Sequence, residues 1–361
     1  MSKTIVALTA ALLLDLGALD AQDSKSPSAR LVSAPLIQLP GDIDSSNPFV
    51  WDWVEGVRTF FVITSWGGVP IRSSGPSIEQ LRRGEAVAFA THPGHGVWME
   101  SIVTDERGRW YGYYHHERPA DECDRPERQL PRIGAAMSSD QGRTWEDLGI
   151  VLDAPETTAQ CVSTNRFVLG GVGDVSALLD ANMQDVYLFF SQYWGGAERQ
   201  GVAVARLAWA DRNAPAGKAS IFNDGAWLPV TGSDAAVSAG WSYPPGTPLE
   251  PATRPFHDGN QSADVFWGAS VHWNTYLEQY VMLLNRAKDE SFGTEGIYVS
   301  YAPSLSDPRQ WTPPQKLMSG GEWYPQVVGI ENGSGTDRLA GRRARFFLTG
   351  KSNRMIEFER P

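Results

Sequence analysis

The chain reads as an all-β protein, a five-bladed β-propeller, and three sequence observations predict that class. A strand-opening pattern recurs along the chain. An aromatic-rich strand follows each copy, and a third strand of small and apolar residues follows several of them. Composition agrees: 14 Trp, 11 Tyr and 14 Phe, with 36 Gly and 24 Pro in 361 residues, favour short strands joined by tight turns over helices.

The opening pattern is a tryptophan followed four residues later by a β-branched residue: Trp98 with Ile102, Trp267 with Val271, and Trp323 with Val327. The partner strands begin near Trp110, Tyr280 and Arg345. Two copies lack the tryptophan but keep the rhythm, Asn47-Pro48-Phe49-Val50 and Gly173-Asp174-Val175-Ser176. In both, the polar opener stands thirteen positions before its aromatic partner, Asn47 before Phe60 and Asp174 before Tyr187. The third strand is read at 133–138, 201–205 and 296–301. Such a unit exposes an apolar face that only neighbouring copies can cover, and five copies set radially cover all of them with few open edges. A β-sandwich is the competing architecture. The segment 30–39 is expected to complete the last blade and join the chain ends. The stretch 238–259, with five prolines, reads as a long loop of the kind that borders a site.

Residues 1–21 read as a secretory signal peptide, with Lys3, an apolar run from Ile5 to Leu14 broken at Asp15, and small residues up to Ala21. The expectation is a secreted or periplasmic protein whose residues 22–361 form a single five-bladed domain. Cys123 and Cys161 are the only cysteines and form either one disulfide or two separate thiols. The net charge of −11, without a basic aromatic-interleaved stripe, argues against nucleic acid as a partner and against attraction to anionic lipid. No later segment is apolar enough to span a membrane.

The sharpest local motif is Ser138-Ser139-Asp140-Gln141-Gly142-Arg143-Thr144-Trp145. It resembles the Asp box of sialidases and other carbohydrate-active propellers. In a hairpin turn of this kind Asp140 caps backbone N–H groups, Gly142 takes a positive φ, and Trp145 tucks into the blade. That role is structural and lies away from the chemistry.

Chemistry is sought on the first strands, which line a propeller's channel. There the chain resembles the five-bladed glycosidases of the family 43 and 117 type, which act on arabinans, xylans and related glycans. The resemblance covers mainly the repeat skeleton, about residues 45–350. It implies an Asp base in blade one, an Asp in blade three that tunes the acid, and an acid further round. Asp174 matches the blade-three aspartate. Asn47-Pro48 stands where Asp-Pro is expected, leaving Asp44 or Asp52 as substitutes, and Trp267-Gly268-Ala269 stands where Glu-Gly-Pro is expected. A histidine acid, for which His272 is the candidate, is a variant in the 117 type.

The catalytic candidates are therefore Glu100, Asp174, His272 and Asp52. His95, Trp98, Tyr113, His116, Trp267 and Tyr324 are the substrate-binding candidates. The mechanism expected is inverting hydrolysis, with Glu100 and Asp174 standing about 6.5–9.5 Å apart around a water. Burial beside Trp98 and Trp267 would raise the pKa of one of them. The bland alternatives are an inter-blade strut for Glu100 and a turn or inter-blade bond for Asp174. Alternation sends His115 and His116 to opposite faces. Metal binding through His95, His116 and Glu117 matches no familiar spacing, so no cofactor is expected, with a structural divalent cation left open. Trp51, Trp53, Trp66, Tyr193 and Trp194 near strand ends are candidates for stacking on sugar. Competing functions are a polysaccharide lyase using His95, His116, His272 or Tyr113 with Arg132 or Arg166, and a non-catalytic glycan-binding propeller.

Overall fold

A computed structural model describes residues 26–361 except 92, 232–242, 258, 260 and 261. The predicted signal peptide and part of the proline-rich loop fall outside the described residues. The chain opens with β1 (Ser28–Gln38). Blade one holds β2 (Phe49–Val54), β3 (Val57–Trp66), β4 (Val69–Gly75) and β5 (Arg82–Ala86). β6 (Ala88–Phe89) crosses to blade two, which holds β7 (Gly96–Thr104), β8 (Trp110–Ala120), β9 (Arg125–Ser138) and β10 (Thr144–Leu152). Blade three is β11 (Val172–Leu179), β12 (Asp185–Gln192), β13 (Gly201–Ala208), β14 (Ser220–Asn223) and β15 (Ala226–Pro229). Blade four is β16 (Phe266–Asn274), β17 (Gln279–Ala287), β18 (Thr294–Ala302) and β19 (Gln315–Ser319). Blade five is built on β20 (Gln326–Gly329), followed after β21 (Leu339–Ala340) by β22 (Arg343–Leu348) and β23 (Lys351–Glu359). β21 itself pairs in parallel with β16.

This is the five-bladed β-propeller. β1 pairs antiparallel with β23, from Ser28 opposite Glu359 to Gln38 opposite Lys351, so the first strand completes the last blade. Asn47 and Gln326 lock the same seam: the Asn47 N–H donates to Gln326 Oε1 at 2.9 Å, and Gln326 Nε2 donates to the Asn47 carbonyl at 3.0 Å.

In blades one, three and four the second strand carries an unbroken apolar run, Phe60 to Ile63, Val186 to Phe190 and Tyr280 to Leu284, because both of its faces are buried. On β3, Phe60 and Val62 face the core shared with blade five, while Phe61 and Ile63 face the core shared with blade two. On β12, Tyr187 and Phe189 pack towards blade four, and Val186, Leu188 and Phe190 towards blade two. At about 1.5–3 kcal/mol per fully buried large apolar side chain, these shared layers hold the blades together.

At the turn between β9 and β10, Asp140 Oδ1 accepts from the N–H groups of Arg143 (3.1 Å) and Thr144 (2.9 Å). Gly142 has φ +78°, and Trp145 is buried with its Nε1 donating to the Gly142 carbonyl at 3.1 Å. Cys123 and Cys161 are joined in a disulfide, with Cα atoms 5.0 Å apart. Among the described residues no helix is long and apolar enough to cross a membrane.

Candidate active site

Three consecutive inner strands carry an extra residue at the same level. Met99-Glu100 faces Tyr114 before Ser101, Asp174-Val175 faces Phe190 before Ser176, and Gly268-Ala269 faces Leu284 before Ser270. A bulge of this kind bends the strand and re-aims a side chain. Here the strands start at one mouth of the channel, and the bulges turn Glu100 and Asp174 into it. The serines stitch the bulged strands together: Ser101 Oγ accepts from the Ala177 N–H at 2.9 Å, and Ser176 Oγ from the Val271 N–H at 3.0 Å. Asp174 and Gly268 have φ of +47° and +60°, a left-handed region that aspartate tolerates and glycine prefers.

A cavity of about 250 Å³ opens at this mouth, lined by Asp44, Glu100, His115, Glu117, Asp174 and Tyr193 with a wall of aromatic rings. Glu100 and Asp174 are 2% and 8% exposed. Glu100 Oε2 accepts from the Val175 N–H at 2.6 Å, so the carboxylate bridges blades two and three. The Asp174 N–H donates to His115 Nδ1 at 3.1 Å, and the Tyr193 hydroxyl donates to Asp174 Oδ2. His115 Nε2 faces Glu117 Oε1 at 3.4 Å. Asp44, from the loop after β1, accepts from Trp98 Nε1 at 2.7 Å.

Burial, reinforced by the Asp174 charge, pushes the Glu100 carboxyl well above the usual range. Burial also raises Asp174 and Asp44, against the His115 charge and the Tyr193 bond for the first and the Trp98 bond for the second. Burial alone would lower the His115 pKa. The bond to Glu117 and the charges of Asp174 and Glu100 outweigh it and lift the imidazole to about 9. The Asp174 N–H aimed at Nδ1 works the other way, favouring a single proton on Nε2. The two influences meet in a site where protons are shared between imidazole and carboxyls.

Glu100, His115 and Asp174 each offer a ligand atom within 4.8 Å of the others, close enough to grip a divalent cation. Each already accepts a bond from a protein donor, and the N–H directed at His115 Nδ1 denies that nitrogen to a metal. The arrangement suits proton chemistry better.

The wall consists of Trp98, Phe167, Trp267, Phe292, Trp323 and Tyr324. Trp267 meets Phe292, Trp323 and Tyr324 edge-on at centroid distances of 4.9, 5.6 and 5.9 Å. Its Nε1 is buried without an acceptor.

Of the catalytic and substrate-binding candidates, the fold brings Glu100, Asp174, Trp98, Trp267 and Tyr324 to this cavity, where Asp44, Glu117 and Tyr193 join them, and leaves His272, Asp52, Tyr113, His116 and His95 elsewhere. His272 is fully buried against Phe358, with no partner on either ring nitrogen, and burial drops its pKa to about 3; it is a core histidine. Asp52 accepts from the Trp53 N–H and from Trp110 Nε1 at 3.0 Å, which makes it a bond between blades one and two. Tyr113 lies in the core shared by the first three blades. His116, opposite in facing to His115, contacts the Pro93 carbonyl at 3.2 Å and accepts from Arg132 Nε at 3.1 Å; burial, then Arg132, lowers it to about 3. His95 sits exposed beside it, ring centroids 5.9 Å apart, while Glu117 turns to His115, so these three do not form a metal set. None of the lyase candidates lines the cavity. Glu100 and Asp174 are also closer than expected: their oxygens within 4.8 Å leave less than the roughly 6.5–9.5 Å of an inverting pair.

Sequence reasoning gave His115, Phe167, Phe292 and Trp323 no place in a site and weighed Glu117 only as a metal ligand. Glu117 was legible in principle, two residues from His115 on the same strand face. Phe167 and Phe292 come from loops, where no periodicity marks them. Tyr193, weighed only for stacking, reaches the pocket through its hydroxyl.

Fold and site together define a five-bladed propeller with an acidic, aromatic-walled pocket at one mouth of its axial channel. Among solved structures, the endo-arabinase of Bacteroides thetaiotaomicron VPI-5482 superposes with a TM-score of 0.50 at 10% identity, over 90% of this chain and 96% of that one. An alpha-L-arabinofuranosidase from Lactobacillus brevis gives a TM-score of 0.47 at 11% identity, over 89% of this chain and 92% of that one. At these identities the likeness is one of fold. No protein-family model matches the sequence, and no curated protein matches it.

Proposed function

We propose that the protein is a glycoside hydrolase that cleaves a plant, algal or microbial polysaccharide or oligosaccharide by carboxylate acid–base catalysis. The observation that carries this reading is the buried Glu100–Asp174–His115 cluster inside an aromatic-walled pocket. Flat rings suit the apolar faces of sugars, and clustered carboxyls with raised pKa suit proton delivery near neutral pH. The propeller is also the scaffold of the endo-arabinase named above.

In this reading Glu100, kept protonated by burial, gives its proton to the leaving glycosidic oxygen as the bond to the anomeric carbon breaks. Asp174, positioned by Tyr193, sets the proton affinity of Glu100. The close Glu100–Asp174 spacing leaves no room for the attacking water between them, so Asp44 takes its proton as the water adds to the anomeric carbon. The disulfide and the signal-like start support export to an oxidising compartment.

The bonds tying Glu100 and Asp174 to blade three also favour a second reading, a propeller that binds glycan without turnover. Reducing-sugar release from arabinan, xylan and galactan separates the two. Glu100→Gln and Asp174→Asn are each expected to lower release about 100-fold or more with little change in Tm. Full activity in both variants removes the assignment, and binding without release by the unaltered protein favours the second reading.

A further inference from the structure

The other mouth of the channel holds a larger cavity, about 450 Å³, reached from the far ends of the inner strands. Its wall carries two arginines, Arg58 and Arg338, and no Asp or Glu, in a chain of net charge −11. Arg58 is held in place by donating from Nη2 to the Gly333 carbonyl at 2.8 Å. Arg338 is the anomaly: its Nε is buried with no acceptor, and the charge set against it is that of its neighbour Asp337. The adjacent Asp337 carboxylate accepts from the Phe49 N–H at 2.9 Å instead, and Asp180, beside the cavity, caps its own turn through the Gln184 N–H at 2.7 Å. Arg338 is half-buried, and a guanidinium nitrogen withdrawn from water without an acceptor is costly, so its buried Nε calls for a partner to explain it.

We propose that this second cavity binds a carboxylate-bearing sugar, a uronate. The planar guanidinium of Arg338 matches a carboxylate in two-point geometry, with Arg58 adding charge. Trp51, its ring fixed by Nε1 donating to the Gly335 carbonyl at 3.0 Å, and the edge-on pair Trp273 and Tyr280 (4.8 Å) supply apolar faces for a sugar ring. The Thr104 and Thr336 hydroxyls supply partners for sugar hydroxyls. The site stands on the opposite side of the propeller from Glu100 and does not depend on the hydrolase reading.

The test is calorimetric titration and thermal shift of the full chain with galacturonate, galactose and inorganic phosphate at matched ionic strength. Galacturonate is expected to bind one site and raise Tm, with galactose and phosphate at least tenfold weaker. Arg338→Met should weaken galacturonate at least tenfold and abolish its Tm shift, whereas Glu100→Gln should leave galacturonate affinity unchanged. Should Arg338→Met not fold, Arg58→Met is expected to give a loss in the same direction. Equal binding of galactose or phosphate, or galacturonate binding lost in Glu100→Gln but kept in Arg338→Met, overturns the proposal.

Discussion

Gly173 shows how little room the site leaves. A Cβ at this position would stand 2.4 Å from His115 Nδ1, so only glycine lets β11 approach close enough for the Asp174 N–H to reach the imidazole. Gly173→Ala is expected to displace His115 and cut activity more than tenfold, visible as a shifted pH–rate profile in a variant that still folds. The imidazole also carries a pH signature. Its pKa rises from 6.5 to about 9 on folding, so its stabilisation is complete below pH 6.5 and is lost as pH climbs towards 9. The effect is at most about 3 kcal/mol. His115→Gln should flatten the decline of Tm over that window; an unchanged slope would show that His115 gains no proton affinity on folding.

At the scale of elements, the decisive feature is the paired bulge and serine on three successive inner strands. The serines recur in order, Ser101, Ser176 and Ser270, and two of them tie to the next blade. The disulfide acts at the same scale. It pins the turn after β8 to the loop that carries Phe167 into the pocket wall, aided by Arg125 Nη1 donating to the Ser163 carbonyl at 2.7 Å. With a sequence separation of 38, loop closure contributes up to about 4 kcal/mol. A Cys123→Ser, Cys161→Ser double variant should lose about 2–4 kcal/mol in denaturant unfolding and show a raised KM with a smaller change in kcat.

At the scale of the molecule, the ring closes through β1. Removing residues 26–38 would strip β23 of its outer partner, leaving it paired with β22 alone and open at its other edge, at the joint where the first and last blades meet. The shortened chain is expected to unfold at lower temperature and to associate with rising concentration, as read by size-exclusion chromatography. A monomer of unchanged Tm would show that the Asn47–Gln326 seam suffices for closure. The same closure sets the two cavities at opposite ends of one channel, each lined by residues from several blades.

The blade count, the closing first strand, the hairpin at Asp140 and two of the site carboxyls were readable from the sequence, because each rests on local periodicity or turn chemistry repeated along the chain. Asn47 marked the start of blade one, but its partner Gln326 and the entry of Asp44 into the pocket depend on how the first and last blades meet. His272 and Asp52 looked like channel residues because first strands line the channel. Strand twist and bulges decide which side of such a strand faces the axis, and they turned these two into the walls between blades. Local sequence determines which strands form and in what order. Which buried side chains share water, charge and protons is decided by the distances between blades, which no single segment encodes.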